Sequence, residues 1–501
     1  MPTDISIDEM AAFCKKKGLV YPSAEIYGGL AGFYDFGHLG VELKNNIKRE
    51  WWKYHVSQRD DIVGIDGSII TNPAVWVASG HVAKFEDIML LCIKCGHRLR
   101  ADTFLEESLN VATDGMKSEE MESLVKKNNL KCPKCKGPFD APKEFNLMFS
   151  TTIGQKEDSK AYLRPETAQL IFTNFRLVAE NARMKLPFGI AQVGKAFRNE
   201  ISPRDFLFRC REFEQMEIEY FVDPAKINDC PYIDEVKNHE MSIYSADMQS
   251  EGKPPVRMSM KDALKNNIIK TSWHAYWLAT EHKWFISLGA IADNFRIRQH
   301  LNTEKSHYAV ETWDLEYKFP FGWKELQGMA NRADFDLSQH SKHSKKELSL
   351  FDEETKSKIL PHVVAEPSQG VERAFLVFLF DSFNDDRKRG NIVLKLSPKL
   401  SPIKVGIFPL VNKLKDKGDE VYNNLKNDFE CLFDSSGSIG RRYARADEIG
   451  IPACVTIDFD GCTIRDRDTT RQVRVKADGL KAAIASFLSG TPLEKIGEPV
   501  N

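Results

Sequence analysis

The 501-residue chain has no long hydrophobic run: the longest, Ala374 to Phe380, falls far short of the roughly 20 apolar residues that a membrane span requires. No basic-then-apolar layout follows Met1-Pro2-Thr3-Asp4-Ile5, so a secretory signal is not expected. Glycine (30) and proline (22) are at ordinary levels, which excludes collagen-like and low-complexity chains. There is little net charge. The 70 basic and 72 acidic residues give −2, which excludes a histone-like polycation but allows a basic surface on one domain. Ten cysteines in a chain of this length do not form the dense framework of a small secreted protein. No phosphate loop of the Gly-x4-Gly-Lys type and no internal repeat is present. What is abundant is apolar residues, at 42%, enough to bury large cores, and at about 150 residues per domain the chain should make two to four domains. The expectation is a cytoplasmic multi-domain protein without a membrane partner.

Along the chain, Tyr27 to Gly37 is a glycine-rich turn region, and helical spacing of Leu43, Ile47 and Trp51 predicts a helix over Leu39–His55. A β-like run, Ile62–Ile70, ends in Thr71-Asn72-Pro73. Residues 92–145 turn rich in Lys, Glu and Asn between cysteine pairs and read as an insertion into a domain that starts at residue 1. Ile190–Val222 reads as two strands joined by a loop with Pro203, and 225–302 as a second insertion without clear period. Glu311–Met329 is strand-like, and Val371–Phe383 is an apolar helix after Gly370. Ser397-Pro398 to Ser401-Pro402 makes a linker, so the main domain runs over 146–400 and a separate α/β unit over 401–501.

Cys92-x-x-Cys95-Gly96 and Cys132-x-x-Cys135 are two knuckles of one type. Two thiolates at this spacing can present both sulfurs to one tetrahedral ion, and four close a structural Zn²⁺ site with no open position. Without metal they would be four reduced thiols. The other six, Cys14 and Cys210 among them, read as small buried apolar residues.

In the two-strand stretch, Arg209, Phe213 and Glu217 share parity, as do Arg198 and Glu200 on the partner strand. A face of arginines, one aromatic ring and carboxylates makes poor core. Arginines can hold phosphate oxygens, and a Phe ring can stack on a purine. The bland alternative is an exposed hairpin with cross-strand ion pairs.

These residues carry a resemblance. Phe197-Arg198-x-Glu200 with Arg209 and Phe213 resembles motif 2 of class II aminoacyl-tRNA synthetases, and Gly370-x-Glu372-Arg373 before the apolar helix resembles motif 3. The helix, strand and Pro73 resemble motif 1, the dimerisation element. The segments Tyr162-Leu163-Arg164-Pro165-Glu166, Gln192 to Arg204, Gly322-Trp323-Lys324-Glu325-Leu326, Glu366-Pro367-Ser368 and Ser436 to Pro452 are similar to the glycyl-tRNA synthetases of the homodimeric, eukaryotic and archaeal type. The match covers nearly the whole chain, from Tyr21 onward, with no appended N-terminal helical module expected. One departure is Leu170, where a small residue is usual, and it should affect local packing only.

The resemblance implies an α+β fold: an antiparallel sheet flanked by helices, with a C-terminal α/β anticodon-binding domain. It implies ATP-dependent activation of glycine to glycyl-adenylate with pyrophosphate release, then transfer to the 3′ end of tRNA(Gly), in a homodimer. By carry-over Arg198 would hold the α-phosphate, Arg373 the γ-phosphate and Arg209 the bend of the triphosphate. Phe213 would stack on adenine and Glu200 would meet its amino group. Asn199, Cys210, Glu325 and Leu326 complete the ATP site, with Glu325 as the Mg²⁺ ligand. Glu166, Glu217, Glu366, Pro367 and Ser368 would form the glycine pocket, where carboxylates grip the ammonium and a filled space at Cα rejects larger amino acids. Three carboxylates round one cation also repel one another, so at least one should have a raised pKa.

The same resemblance makes the C-terminal domain an anticodon reader. Arg441, Arg442, Arg445, Arg465, Arg467, Arg471 and Arg474, with Tyr443, would supply its basic, stacking surface. His340 and His343 lack a third nearby ligand and read as loop or substrate-edge residues, not metal ligands. A synthetase for threonine, proline, histidine or serine would need a roomier pocket, and a non-catalytic relative would be expected to lose Arg198, Arg209 and Arg373.

Overall fold

The computed structural model describes residues 5–111, 113, 116–154, 160–302, 304, 309–353 and 355–500. Its centre is a nine-stranded sheet. Numbered along the chain, the strands are β1 (Ile62–Ile65), β2 (Phe188–Phe197), β3 (Glu212–Val222), β4 (Glu240–Tyr244), β5 (Val256–Ser259), β6 (Phe295–Gln299), β7 (Glu311–Phe319), β8 (Gly322–Asn331) and β9 (His362–Gly370). They lie side by side in the order β5-β4-β6-β7-β8-β9-β3-β2-β1. All neighbours are antiparallel except β1 with β2 and β4 with β6.

The two faces of β3 show how the sequence places the site. Met216, Ile218 and Tyr220 enter the main core, packed with residues of helices α1 (His38–Trp52), α3 (Ser272–Ser287) and α4 (Val371–Ser382). The alternate residues, Phe213, Gln215 and Glu217, line a cavity instead. A period of two sends successive side chains to opposite faces, so one strand serves core and site together. Helix α2 (Ala168–Ala182) closes a second core with Phe188, Ile190 and Phe221.

Several sequence expectations shift here. The first helix ends at Trp52 and passes into a wider turn, Lys53–Ser57. Its apolar face, Leu43, Ile47 and Trp51, is fully buried in the core of this chain, so it cannot serve as the expected dimer surface. The strand after it stops at Ile65, and Pro73 opens a short helix, Pro73–Ala78, capped by Asn72, because proline at the first helical position costs no hydrogen bond. Residues 311–331 are a hairpin of two strands, not one. The stretch without visible period contains β4, β5, β6 and α3. Helix α3 is buried nearly all round, from Trp273 to Phe285, with His274, Glu281 and His282 inside as well, and a helix buried on every side shows no amphipathic stripe. Leu170 packs on Gly67, where an added Cβ would lie 2.6 Å from Leu170 Cδ1.

The cysteine-bearing insertion begins earlier than its composition suggests. Strands Glu86–Leu91, Arg98–Arg100 and Lys143–Asn146 form a small sheet under helices Ala101–Leu109 and Ser118–Lys127, with its own core of Leu90, Ala101, Leu105 and Met121.

The C-terminal unit is a six-stranded sheet of β10 (Val405–Pro409), β11 (Cys431–Phe433), β12 (Ala453–Asp458), β13 (Gly461–Asp466), β14 (Gln472–Val475) and β15 (Glu498–Val500), ordered β11-β10-β12-β13-β14-β15. The proline-containing linker is clamped to α1, where the Asn46 amide donates to the carbonyls of Leu400 and Ser401 at 3.1 Å each. Lys17 pairs with Glu448 across the same junction. Among the described residues no helix is long and apolar enough to cross a membrane.

Candidate active site

A cavity of about 500 Å³ opens on the face of the sheet that carries Phe213 and Glu217. Arg198, Glu200, Arg209, Cys210, Phe213, Glu325, Leu326 and Arg373 line it, together with Glu166, Glu217, Glu366 and Ser368. Asn199 and Pro367 do not. The backbone N–H of Asn199 donates to Leu147, and Pro367 sits opposite Met329 in the ladder between β9 and β8. Strand parity explains only part of the grouping. β2 ends at Phe197 and β3 starts at Glu212, so Arg198, Glu200 and Arg209 reach the cavity from loops.

One end carries the arginines, with Glu200 and Glu325 beside them. Arg198 lies between the rings of Phe85 and Phe213, 5.5 and 5.4 Å from their centroids, and donates through Nε to the Pro165 carbonyl at 3.1 Å. Arg373 rests over Phe208 at 4.5 Å and donates to the Glu325 carbonyl at 2.8 Å. The surrounding walls push the Glu325 carboxyl up, although half of it is open to solvent, but Arg373, His300 and Arg198 outweigh this and hold it below its ordinary range. The Glu200 Oε2 is buried and, among the described residues, has no hydrogen-bond partner, with Arg209 Nε 4.0 Å away. Cys210 is buried, its thiol pushed well up by desolvation, so it contributes shape and not a nucleophile.

The other end is acidic. Glu217, Ser368 and Gly328 stand side by side on β3, β9 and β8, and Ser368 Oγ donates to Glu217 Oε1 at 2.6 Å. Thr167 donates to the other Glu217 oxygen. Glu166 accepts from Gln169 at 3.0 Å and faces His81 Nε2 at 3.2 Å. Burial works against the Glu166 anion, but His81 and Arg332 hold it well below the carboxylate range. Glu366 meets Arg332 Nη1 at 2.7 Å, yet burial and the charges of Glu217 and Glu166 push it up to about 8. Glu217 is pushed up by burial and then by Glu166. The site is a tunnel of charge: arginines for an anion at one end, carboxylates for a cation at the other.

Comparison with known proteins fits this arrangement. Residues 149–373 match the family described as tRNA synthetase class II core domain (G, H, P, S and T), and residues 404–486 match the anticodon binding domain. Proteins named glycine–tRNA ligase from Caldanaerobacter subterraneus and Acetivibrio thermocellus are 43% and 44% identical, each covering 95% of this chain and 97% of the relative. One from Clostridium kluyveri is 44% identical over 96% of the chain and 98% of its own length. The chain belongs to the glycine–tRNA ligase family. These relatives are bacterial, whereas the sequence resemblance pointed to the eukaryotic and archaeal type. A prolyl-tRNA synthetase from Cryptosporidium parvum, solved with L-proline and AMP, shares the fold with a TM-score of 0.55 at 12% identity, over 96% of this chain and 78% of that one.

Around the ligase cavity stand residues that sequence reasoning missed. Arg332 ties Glu366 to Asp336, which it holds with two bonds of 2.6 and 2.8 Å. Gln169 links Glu166, Asp336 and, at 2.8 Å, His340. His340 is thus a buried support of the acidic end, and it and His343 lie on the helix Phe335–Ser344, not in the loop expected for them. Asp87, Arg100, His300 and Asp314 also line the cavity. Burial is the first cause that pushes Asp314 up to about 6, while His300 Nε2 lies 2.7 Å from it. No local spacing marks these groups, because they arrive from separate loops and strands.

The four cysteine sulfurs converge. All lie within 4.8 Å of one another, Cys92 to Cys135 at 3.4 Å and Cys95 to Cys132 at 3.8 Å.

In the ligase's C-terminal domain three of the seven expected tRNA-facing arginines are buried and three more sit in surface ion pairs, which narrows the basic-surface expectation. Arg442 donates to the carbonyls of Pro409 and Gly437, Arg465 forks onto Asp447 at 2.8 and 3.0 Å, and Arg467 binds Gly450 and Asp468. All three are buried. Arg445, Arg471 and Arg474 pair with Asp434, Glu494 and Asp458. The Tyr443 hydroxyl bonds Thr456, and its ring lies under Arg465. Among the described residues Arg441 alone of the seven makes no such pairing, and it is exposed.

Proposed function

We propose that the cavity performs both halves of glycine–tRNA ligation: attack of the glycine carboxylate on the α-phosphate of ATP, then transfer of the glycyl group to the 3′ end of tRNA(Gly). One observation carries this reading. Three carboxylates and Ser368 stand at one end of the same 500 Å³ cavity whose other end holds Arg198, Arg209 and Arg373. An ammonium gripped by Glu166, Glu217 and Glu366 would turn its carboxylate toward the arginines. Arg198 would meet the α-phosphate, Arg209 the bend and Arg373 the γ-phosphate, spreading the charge that develops in transfer. Phe213 would stack on adenine, with Glu200 at its amino group and Cys210 and Leu326 as walls. The attacking group is already ionised, so the chemistry needs alignment and positive charge and little proton transfer.

Glu325 is the carboxylate we assign to the Mg²⁺ of the nucleotide; its anion is favoured by Arg373 and it stands at the cavity mouth. Zn²⁺ fits the cysteine quartet. Four sulfurs at about 2.3 Å from a tetrahedral ion stand about 3.8 Å apart, close to the spacing present. Its closed ligand set would brace the insertion. Self-association in the motif 1 region, as in the homodimeric type, would use Val41, Ile69, Ile70 and Val77, all partly exposed, since Leu43, Ile47 and Trp51 are buried. The domain layout read from the sequence, with the anticodon reader after residue 401, and a cytoplasmic location belong to the same reading.

Amino-acid-dependent ATP–pyrophosphate exchange across the twenty amino acids tests it. Exchange with glycine alone is expected, and exchange driven by another amino acid would overturn the assignment of the acidic end.

A further inference from the structure

Beneath the acidic end lies a carboxyl that none of these roles uses. Glu219 follows Glu217 by two positions on β3 and so shares its face. It is completely buried, and among the described residues neither of its oxygens has a hydrogen-bond partner. One oxygen each from Glu217, Glu219 and Glu366 lies within 4.8 Å of the others.

The nearby charges do not compensate it. Arg332 is committed to Glu366 and Asp336, and His81 faces Glu166. Glu217 has two hydroxyl donors, Ser368 and Thr167. Buried carboxylates this close do not all ionise but hold protons as one unit, and the carboxyl with no donor keeps the proton. Burial first, and then the charge of Glu366, pushes Glu219 far above the ordinary range; Arg332 opposes this, while Glu217 and Asp336 add to it.

We propose that Glu219 carries a proton while the amino-acid site is empty and releases it to solvent when the glycine ammonium enters. The inference rests on the assignment of Glu166, Glu217 and Glu366 to glycine. The exchange balances: one proton leaves the Glu219 carboxyl, one ammonium arrives, and the net charge of the buried cluster is unchanged. A site that swaps one cation for another avoids burying an uncompensated negative charge in either state. Because the proton must leave, glycine binding tightens as pH rises. Below the apparent pKa of the cluster the glycine KM should fall about tenfold per pH unit, the slope of one linked proton.

Calorimetric titration of the full chain with glycine, in phosphate and in Tris at the same pH, counts the protons released. We expect about one per glycine for the wild type and markedly fewer for Glu219→Gln, which keeps the shape but has no proton to give. The glycine KM of Glu219→Gln in pyrophosphate exchange should be raised and less dependent on pH than that of the wild type. Equal heats in the two buffers for the wild type would overturn the proposal, as would a mutant that releases as many protons as the wild type. If the mutant does not fold, the wild-type heats and the pH slope of its KM decide alone. Glu217→Gln separates the two claims: normal glycine binding there would remove the glycine-site assignment, whatever the wild-type proton count.

Discussion

Ser368 and Glu217 face each other across the β3–β9 ladder, with the hydroxyl donating to the carboxylate at 2.6 Å. The serine therefore shapes the carboxylate as well as the pocket, and it is itself approached by Gln215 Nε2 at 3.3 Å. Ser368→Ala is expected to weaken glycine activation by about 0.5–1.5 kcal/mol, the net worth of one hydrogen bond. Glu217→Ala should cost more, since a charged partner counts roughly twice as much. Glycine-, alanine- and serine-dependent exchange measured for both variants checks this, and unchanged glycine kinetics in Glu217→Ala would mean the amino-acid end is misplaced.

Arg198 is held by the Pro165 carbonyl and two rings and, among the described residues, pairs with no carboxylate, so its charge stays available to a phosphate. Arg198→Ala should lower pyrophosphate exchange about 10²–10³-fold, the usual effect of removing one charge-stabilising donor, with the melting temperature nearly unchanged. A variant with wild-type exchange would refute its role.

Metal removal is expected to act on the insertion first. Chelation of the full chain should release one Zn²⁺ and expose the Cys92, Cys95, Cys132 and Cys135 thiols to a thiol reagent, with glycine-dependent exchange reduced only as the insertion loosens. Metal analysis that finds no zinc in protein purified without chelator would exclude it.

Asp61 gives a pH-dependent contribution with a definite sign. It accepts two bonds of 2.7 Å from Arg59 and one of 2.6 Å from Tyr220. Burial opposes its anion, but Arg59 wins and lowers its pKa from 3.8. A lowered folded-state pKa means stability that is present above about pH 4 and lost as pH falls through the folded value. Asp61→Asn should thus destabilise the protein by about 3 kcal/mol at pH 7, the cost of breaking a buried pair, and the gap should narrow in acid. Denaturant melts of both proteins at pH 7 and pH 3.5 measure it; a constant gap would contradict the assignment.

Arg441 and Arg465 should separate tRNA contact from folding. Arg441 is exposed and unpaired among the described residues, so Arg441→Ala should weaken tRNA(Gly) binding and flatten its salt dependence at unchanged stability. Arg465 forks onto buried Asp447, so Arg465→Ala should lower the melting temperature. Filter binding at several salt concentrations, beside thermal melts, distinguishes the two.

The sequence by itself determined the elements with local signatures. The apolar helix opening at Val371 and the paired cysteine knuckles both stand where spacing and composition put them. The residues named for the ATP and glycine ends, Asn199 and Pro367 apart, meet in one cavity, because each sits in a short motif whose pattern survives in one dimension. Tertiary structure alone decided what those motifs touch. It spent Leu43, Ile47 and Trp51 inside the chain, and it paired six of seven arginines, because hydrophobic burial and charge compensation depend on residues far apart in sequence. It also brought Arg332 and Asp336 from beyond β8 to β9 and placed Glu219 beneath Glu217, unpaired among the described residues. A buried charge has meaning only through its surroundings, and those surroundings exist only once the sheet has closed.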